Sequence, residues 1–416
     1  HTDLVLGTNT VAYPTQSDLY QGKWNYVGSL GYVTGAHAFK AGVQWSVARD
    51  GLTTEVNQSL VQEYRNGVPS SVTVYATPVN RLNHVTDLGI FAQDSWTLKR
   101  MTLNYGIRFE DLRGKVDARD VPAGRFVPAR QFPEINDVPN WQTWAPRFGV
   151  VYDVFGTGKT ALKASMSRYM LGESVAYTRD FNPQASATDR RTWNDLNGDD
   201  IAQDNEIGPS NVSEFGSRQT IRQADGIKRP YQTEYNVSLQ HELLPRLSMT
   251  AGWFFREYRR LFREDNVLVD PTDYIPVNIV SPLDGESITI YNLNPSKRGA
   301  VDVVRDNSDE NRRKYNGFDL NVNARLGRGA MLFGGLTVGK PWEVNCDVDD
   351  PNALRFCDQS SFVPYQSVFK LSGAYTLPYG IQVSGTLQSY PGNPTNAQAA
   401  GELNTPEAGL AVNYNV

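Results

Sequence analysis

Residues 231–255 read YQTEYNVSLQHELLPRLSMTAGWFF, and the alternation in the first twelve decides the fold. Tyr231, Thr233, Tyr235, Val237, Leu239 and His241 share one face. Gln232, Glu234, Asn236, Ser238, Gln240 and Glu242 share the other, and every one is polar. A period of two is the signature of a strand. Leu243-Leu244-Pro245-Arg246 then turns the chain into a second strand.

The same pattern recurs along the chain in pairs. In MTLNYGIRFE, Met101, Leu103, Tyr105, Ile107 and Phe109 alternate with Thr102, Asn104, Gly106, Arg108 and Glu110. The strand before it places Leu88, Ile90, Ala92, Trp96 and Leu98 on one side, and Asp94 breaks that pattern. Lys99-Arg100 is the turn between them. Trp144, Phe148, Val150, Tyr152 and Val154 share a parity opposite Arg147 and Asp153, before a turn at Phe155-Gly156-Thr157-Gly158. Phe318, Leu320, Val322 and Ala324 oppose Asp319, Asn321, Asn323 and Arg325, before a turn at Gly327-Arg328-Gly329. Further pairs turn at Thr34-Gly35-Ala36 and at Pro378-Tyr379-Gly380.

Alternation alone suits a soluble sandwich as well as a barrel wall. Strand length and loop asymmetry separate the two. The strands run to about ten to thirteen residues, where the usual strand has five or six. At a tilt near 40° such a strand rises roughly 25–30 Å, the height of the apolar band of a bilayer. Short turns close each pair, and long polar segments (112–143, 172–229, 257–313 and 340–364) join one pair to the next. Trp96 lies beside a short turn, while Tyr231, Trp253 and Phe255 lie at the far end of theirs, as interfacial aromatic girdles require. The expected fold is therefore all-β, a transmembrane antiparallel β-barrel. Backbone satisfaction in hydrocarbon demands closure. About fourteen to sixteen strands are expected before the pattern fades near Tyr390, and the tail from 393 onward offers no clear terminal strand.

Composition agrees. Hydrophobic residues make up 40% of the 416, with 21 Tyr and 8 Trp, and the mean hydropathy is negative. No apolar run is long enough for a spanning helix. A net charge of −5 and the lack of a basic run give no reason to expect nucleic acid. The chain opens at His1 without a signal peptide, which reads as a mature product or a piece of a longer one.

The stretch LGIFAQDSWTLKRMTLNYGIRFE (88–110) resembles a signature region of TonB-dependent outer-membrane receptors. WAPRFGVVYDVFGTGKTALKASMSRYM (144–170) resembles the next hairpin of the same family, and 28–45, 228–243 and 369–385 extend the likeness. The subgroup it is most similar to is the Oar-like receptors, which carry a carboxypeptidase-regulatory-like domain at the N-terminus. The resemblance implies a 22-stranded barrel in the bacterial outer membrane, surrounded by lipid. It also implies a plug domain inside the barrel and import driven by a TonB complex. On that reading residues 1–416 are the barrel portion, and the plug and the regulatory-like domain lie outside them. Adhesion from a barrel anchor and a passive porin are the alternatives. No catalytic constellation is read, so an enzyme is not expected.

Two local motifs stand out. DLNGDDIAQDNE (195–206) places Asp195, Asn197, Asp199, the Ile201 carbonyl and Glu206 at positions 1, 3, 5, 7 and 12 of a calcium loop. Gln203 or Asp204 offers a further ligand. Position 6, usually Gly, is Asp200. The expectation is a structural Ca2+, and the alternative is a solvated acidic loop. Cys346 and Cys357 are the two cysteines; eleven residues apart and without zinc-ligand partners, they are expected to form a disulfide. Asp347, Asp349, Asp350 and Asp358 are read as part of that solvated loop. Gly158-Lys159-Thr160 suggests a phosphate loop, but Asp153 stands where its first glycine belongs, so a hairpin turn is expected. Arg108, Glu110, Arg147, Asp153, Glu234, Glu242, Asp319 and Arg325 are expected to face the lumen. The basic residues of REYRRLFRED and NRRKYN lie at strand–loop junctions and are expected to meet headgroups or water.

Overall fold

In the computed structural model, twelve long strands form one antiparallel sheet in chain order. They are β1 (Thr15–Thr34), β2 (His37–Val56), β3 (Val79–Leu98), β4 (Met101–Val116), β5 (Asn140–Asp153), β6 (Thr160–Met170), β7 (Tyr231–Leu244), β8 (Leu247–Arg259), β9 (Arg312–Arg325), β10 (Met331–Val344), β11 (Gln366–Thr376) and β12 (Gln382–Ser389). The residues described are 1–10, 14–184, 188–210, 212, 214–280, 285–326, 329–360, 363–392, 402–403 and 412–413. Most of the tail from 393, and Gly327-Arg328 of one expected turn, fall outside them.

Register turns the sequence alternation into two surfaces. Tyr152, Leu162, Leu239, Ala251, Leu320, Leu336 and Phe369 pair in an unbroken row across seven strands. The adjacent row is Asp153, Ala161, Gln240, Thr250, Asn321, Gly335 and Lys370. Leu162, Leu239 and Leu320 of the first row are 40% or more exposed. A greasy face left open across a whole sheet is a lipid face, and the polar row behind it lines the lumen.

Predicted turns occur where expected at Gly35-Ala36, Lys99-Arg100, Pro245-Arg246 and Pro378-Tyr379-Gly380. Gly156 and Gly158 take positive φ in the β5–β6 turn. The Asp153 carboxylate accepts from Gly156 N (3.0 Å) and Gly158 N (2.8 Å). Those amides are spent on Asp153, so the turn is no phosphate cradle.

The strand count differs from expectation, because the connecting segments fold among themselves. Leu60–Arg65 and Val68–Tyr75 form a hairpin that joins Thr188–Thr192 and two short N-terminal strands in a separate five-stranded sheet. Ile221–Gln223, Val303–Asn307 and Phe262–Asn266 form a three-stranded sheet, and Tyr274–Val280 pairs with Ser287–Leu293. The wall strands are also longer than predicted. β1, β2 and β3 have twenty residues each, about 66 Å at 3.3 Å per residue, well beyond a band of about 25 Å. Along β2 Phe39, Val43 and Trp45 are exposed on the outward face, while toward the long-loop end Asp50 and Val56 are buried on the inward face. That end stands clear of the membrane and carries a cap.

Candidate functional site

The cap reaches into the wall through the segment between β6 and β7. Helix α1 (Val175–Asp180) starts at Ser174, whose hydroxyl accepts from Ala176 N. Its Tyr177, with Phe181 just beyond, packs against Val85, Leu112, Val116 and Trp141. These four wall residues share parity with the lumen-facing set, so α1 covers the inner wall at its outer end. Gly114 makes that seat possible. A Cβ there would meet Thr178 Oγ1 and the Val138 carbonyl at 2.3 Å each. Trp141 Nε1 donates to the Ile227 carbonyl (2.8 Å) and Thr178 Oγ1 to the Val138 carbonyl (2.8 Å).

Directly below, Arg229 pairs with Glu110 (2.7 Å), which also takes Arg108 (2.6 Å). Arg229 is only 4% exposed. Arg305 lies over Tyr177 and Phe181 and pairs with Asp180 and Glu264, clamping α1 to the three-stranded sheet. Burial pushes the Glu173 carboxyl up, against the pull of Arg229 and Arg305. Beneath this layer the inner wall opens into a groove of about 850 Å3, lined by Lys40, Gln44, Asn104, Arg108, Arg147 and Lys163 among others. Arg147 stacks over Tyr169, and Lys163 donates to Gln240. Glu234 pairs with Arg256 and Asp319 accepts from Asn321, so several charges of the lumen row expected from sequence find polar partners within the wall.

The 195–206 loop belongs to the cap. Asp195 accepts from Gly198 N and Asp200 N, Asn197 from Asp199 N, and Asp199 from Ile201 N. Glu206, 5% exposed, closes the loop by accepting from Leu196 N (2.9 Å). Asp200 takes φ 61°, the conformation that glycine usually supplies at this position. Its carboxylate accepts from the Tyr64 hydroxyl (2.9 Å), whose titration burial and Asp200 push upward. Gln203 donates to Asp199, and Asp204 pairs with Arg125 rather than turning inward. Among the described residues no three His, Cys, Asp or Glu side chains converge as a metal cluster.

Cys346 and Cys357 are bonded. The neighbouring acids are less solvated than expected. Asp347 pairs with Arg263 and accepts from Ser308, and Asp350 caps the turn Pro351–Phe356. Burial and the neighbouring Asp265 push the Asp349 carboxyl up to about 6.

Sequence reading missed both working parts of the cap. The hairpin at 60–75 was legible in Asn66-Gly67, a dipeptide that favours a two-residue turn, and both residues take positive φ. The Glu110–Arg229 pair, 119 positions apart, carries no local signal.

A wall greasy outside, wet inside and capped at one end agrees with the comparison to known families. Residues 5–393 match the family described as outer membrane beta barrel domain. The chain belongs to the outer membrane beta-barrel domain family. Its place is the bacterial outer membrane. Among solved structures the barrel is similar to the outer membrane transporter YddB from Escherichia coli, with 11% identity and a TM-score of 0.51 over 89% of this chain and 42% of that one. It is also similar to the alcaligin outer membrane receptor FauA from Bordetella pertussis, with 12% identity and a TM-score of 0.46 over 90% of this chain and 47% of that one. The chain thus spans less than half the length of the solved structures it matches. No curated protein matches it.

Proposed function

We propose that this chain is the barrel portion of an outer-membrane active transporter of the TonB-dependent kind, in the Oar-like subgroup. The bulky substrate is gathered by the cap and admitted through a lumen held by a plug domain. The observation that carries the reading is α1 seated on the inner wall above a polar groove. A passive pore gains nothing from a roof clamped by the Arg229–Glu110 and Arg305–Asp180 pairs. The family match and the 42% coverage of YddB support a barrel that is part of a larger receptor; on this reading the plug and the regulatory-like domain lie outside residues 1–416. So do β1 and β12, which pair on one side only among the described residues. An edge left open in hydrocarbon would strand its backbone groups, so further strands complete the wall. No step needs a catalytic residue.

We propose a structural Ca2+ in the 195–206 loop, held by Asp195, Asn197, Asp199, the Ile201 carbonyl and Glu206. The positive φ of Asp200 supports it. The ion would draw together carboxylates that now accept loop amides and would stiffen the cap.

The test compares energised cells and passive liposomes carrying the full-length receptor. Solute uptake that a protonophore abolishes, with no swelling of liposomes in small sugars, is the expected result. Swelling at porin-like rates would replace active transport with passive diffusion. Binding of cells or matrix with no uptake would favour the adhesion reading.

A further inference from the structure

The lipid face of β6–β10 ends in a basic patch that neither the lumen nor the cap uses. Register defines it. Arg168, Thr233, Glu257, Lys314 and Trp342 pair in one row across the five strands. The row on the membrane side holds Met166, Tyr235, Phe255, Asn316 and Lys340. On the long-loop side lie Tyr231 paired with Arg259, and Arg312 paired with Val344. All share the parity of Leu239, Phe318 and Leu320, so they face outward.

Five cations of these rows therefore stand at this rim, Arg168, Arg259, Arg312, Lys314 and Lys340; Arg260, one residue past the end of β8, joins them over the Tyr231 ring, and the outward rows offer them one carboxylate. Glu257 is divided between Arg259 (3.0 Å) and Lys314 (3.4 Å). Arg168, Arg260, Arg312 and Lys340 have no ion pair among the described residues. Aromatic rings orient several of the cations. The guanidinium groups of Arg168 and Arg260 lie 4.4 and 5.2 Å from the centre of the Tyr231 ring, and Lys314 lies 5.2 Å from Trp342. Arg168 Nε is shut off from solvent with no hydrogen-bond partner.

Arg168 and Arg260 share one ring, and like charges that share a ring repel one another unless an anion joins them. Guanidinium forks suit the oxygens of phosphate, which accept two parallel N–H bonds. The surface immediately below is apolar and open: Tyr235, Phe318 and Leu320 are 39%, 57% and 40% exposed. An occupant with a phosphate above and hydrocarbon below satisfies both. We propose that this patch binds phosphate-bearing lipid headgroups of the outer leaflet, with Arg168, Arg260 and Arg312 as the phosphate ligands. The assignment depends on the membrane position of the wall and not on what the barrel transports.

The test measures binding of lipopolysaccharide to the full-length receptor in detergent. Wild type is set against Arg168→Gln/Arg260→Gln/Arg312→Gln, with Arg313→Gln on the opposite face of β9 as control. The triple variant is expected to lose on the order of tenfold in affinity, and Arg313→Gln to change little. The corresponding Arg→Lys triple keeps the charge but not the fork, and is expected to bind between wild type and the Gln triple. Wild-type binding weakens as salt rises, which checks the assignment even if the triple variant fails to fold. Equal binding by wild type and a folded triple variant, or by phosphorylated and dephosphorylated lipid, overturns the proposal. Inorganic phosphate binding with the same dependence on the three arginines would make this a site for free phosphate and overturn the lipid assignment.

Discussion

Tyr105 donates its hydroxyl to the Asp94 carboxylate at 2.8 Å on the lipid side of the wall. The same carboxylate oxygen lies 2.7 Å from His37 Nδ1, and the Ala38 amide donates to the other oxygen. Phe39, Asp94 and Tyr105 pair in one outward row. Asp94 broke the apolar alternation in the sequence, and the structure explains how the wall tolerates it. The side chain is only 3% exposed, and Phe39 and Trp96 stack on either His37 flank at 5.2 Å. An acid beside lipid is stable only when paired.

Removing the Tyr105 hydroxyl should therefore destabilise the barrel through Asp94. Tyr105→Phe is expected to lower the denaturant midpoint, and adding Asp94→Asn should recover much of the loss, because a neutral amide is cheaper to leave beside lipid. Midpoints come from tryptophan fluorescence in detergent micelles. Identical midpoints for wild type and Tyr105→Phe would mean that the hydrogen bond contributes nothing, and no recovery on adding Asp94→Asn would mean that the loss does not act through the Asp94 charge.

Leu320 and Asn321 are neighbours in β9 with opposite duties. Leu320 sits in the apolar row, and Asn321 donates to Asp319 in the lumen. Leu320→Lys is expected to cost about 2 kcal/mol or more of folding into vesicles, while Asn321→Lys, set beside Asp319, should cost far less. Equal costs would place both faces in the same medium.

The wall was readable because register there is set by an exact period of two, and each misplaced residue would move greasy side chains into water. Tyr235, Leu239 and Leu320 announced their face without help. The cap was not readable, since its core joins distant stretches: Trp141 meets Ile227 and Tyr64 meets Asp200. Periodicity ends where the strands leave the bilayer, and the upper halves of β1 to β3 were therefore underestimated. The 195–206 loop showed its ligand order in sequence, but its tie to Tyr64 depends on pairing 136 positions away.

Gly114 tests the roof. With Thr178 Oγ1 and the Val138 carbonyl at 2.3 Å from a Cβ at this position, Gly114→Val cannot keep α1 in place. Amide exchange at 175–182 is expected to rise by about tenfold or more, as in local opening. Gly385→Val is the control, because a Cβ there meets nothing within 4 Å. Unchanged exchange in Gly114→Val would mean that α1 is held from elsewhere.

The disulfide loop should respond to pH through Asp349, pushed up to about 6 by burial and then by Asp265. A raised carboxyl favours the folded loop while it holds its proton, so this contribution is complete below about pH 4 and is lost as pH rises through 6. Proteolysis between 345 and 358 is expected to be faster at pH 7 than at pH 4.5, once corrected for protease activity. Asp349→Asn should flatten the difference. A dependence that survives in Asp349→Asn would assign it to another group.

Calcium removal gives the last prediction. In the present geometry Asp195 and Asp199 accept loop amides, and Glu206 ties position 12 back to Leu196. An ion would take up the same oxygens from within the loop, with ligands at about 2.3–2.6 Å. Trp193 reports on this closure, because its Nε1 lies 3.4 Å from Glu206 Oε2. Chelation should change Trp193 fluorescence and speed protease cleavage across 195–206, and added Ca2+ should reverse both. Asp195→Ala with Glu206→Ala is expected to remove the calcium response while the barrel, whose wall strands lie far from this loop in sequence, still folds. Glu206→Gln separates charge from shape, since it can still accept from Leu196 N but binds a cation weakly. If wild type and Glu206→Gln resist protease equally, with chelator or without, the loop is closed by its own amides and holds no ion.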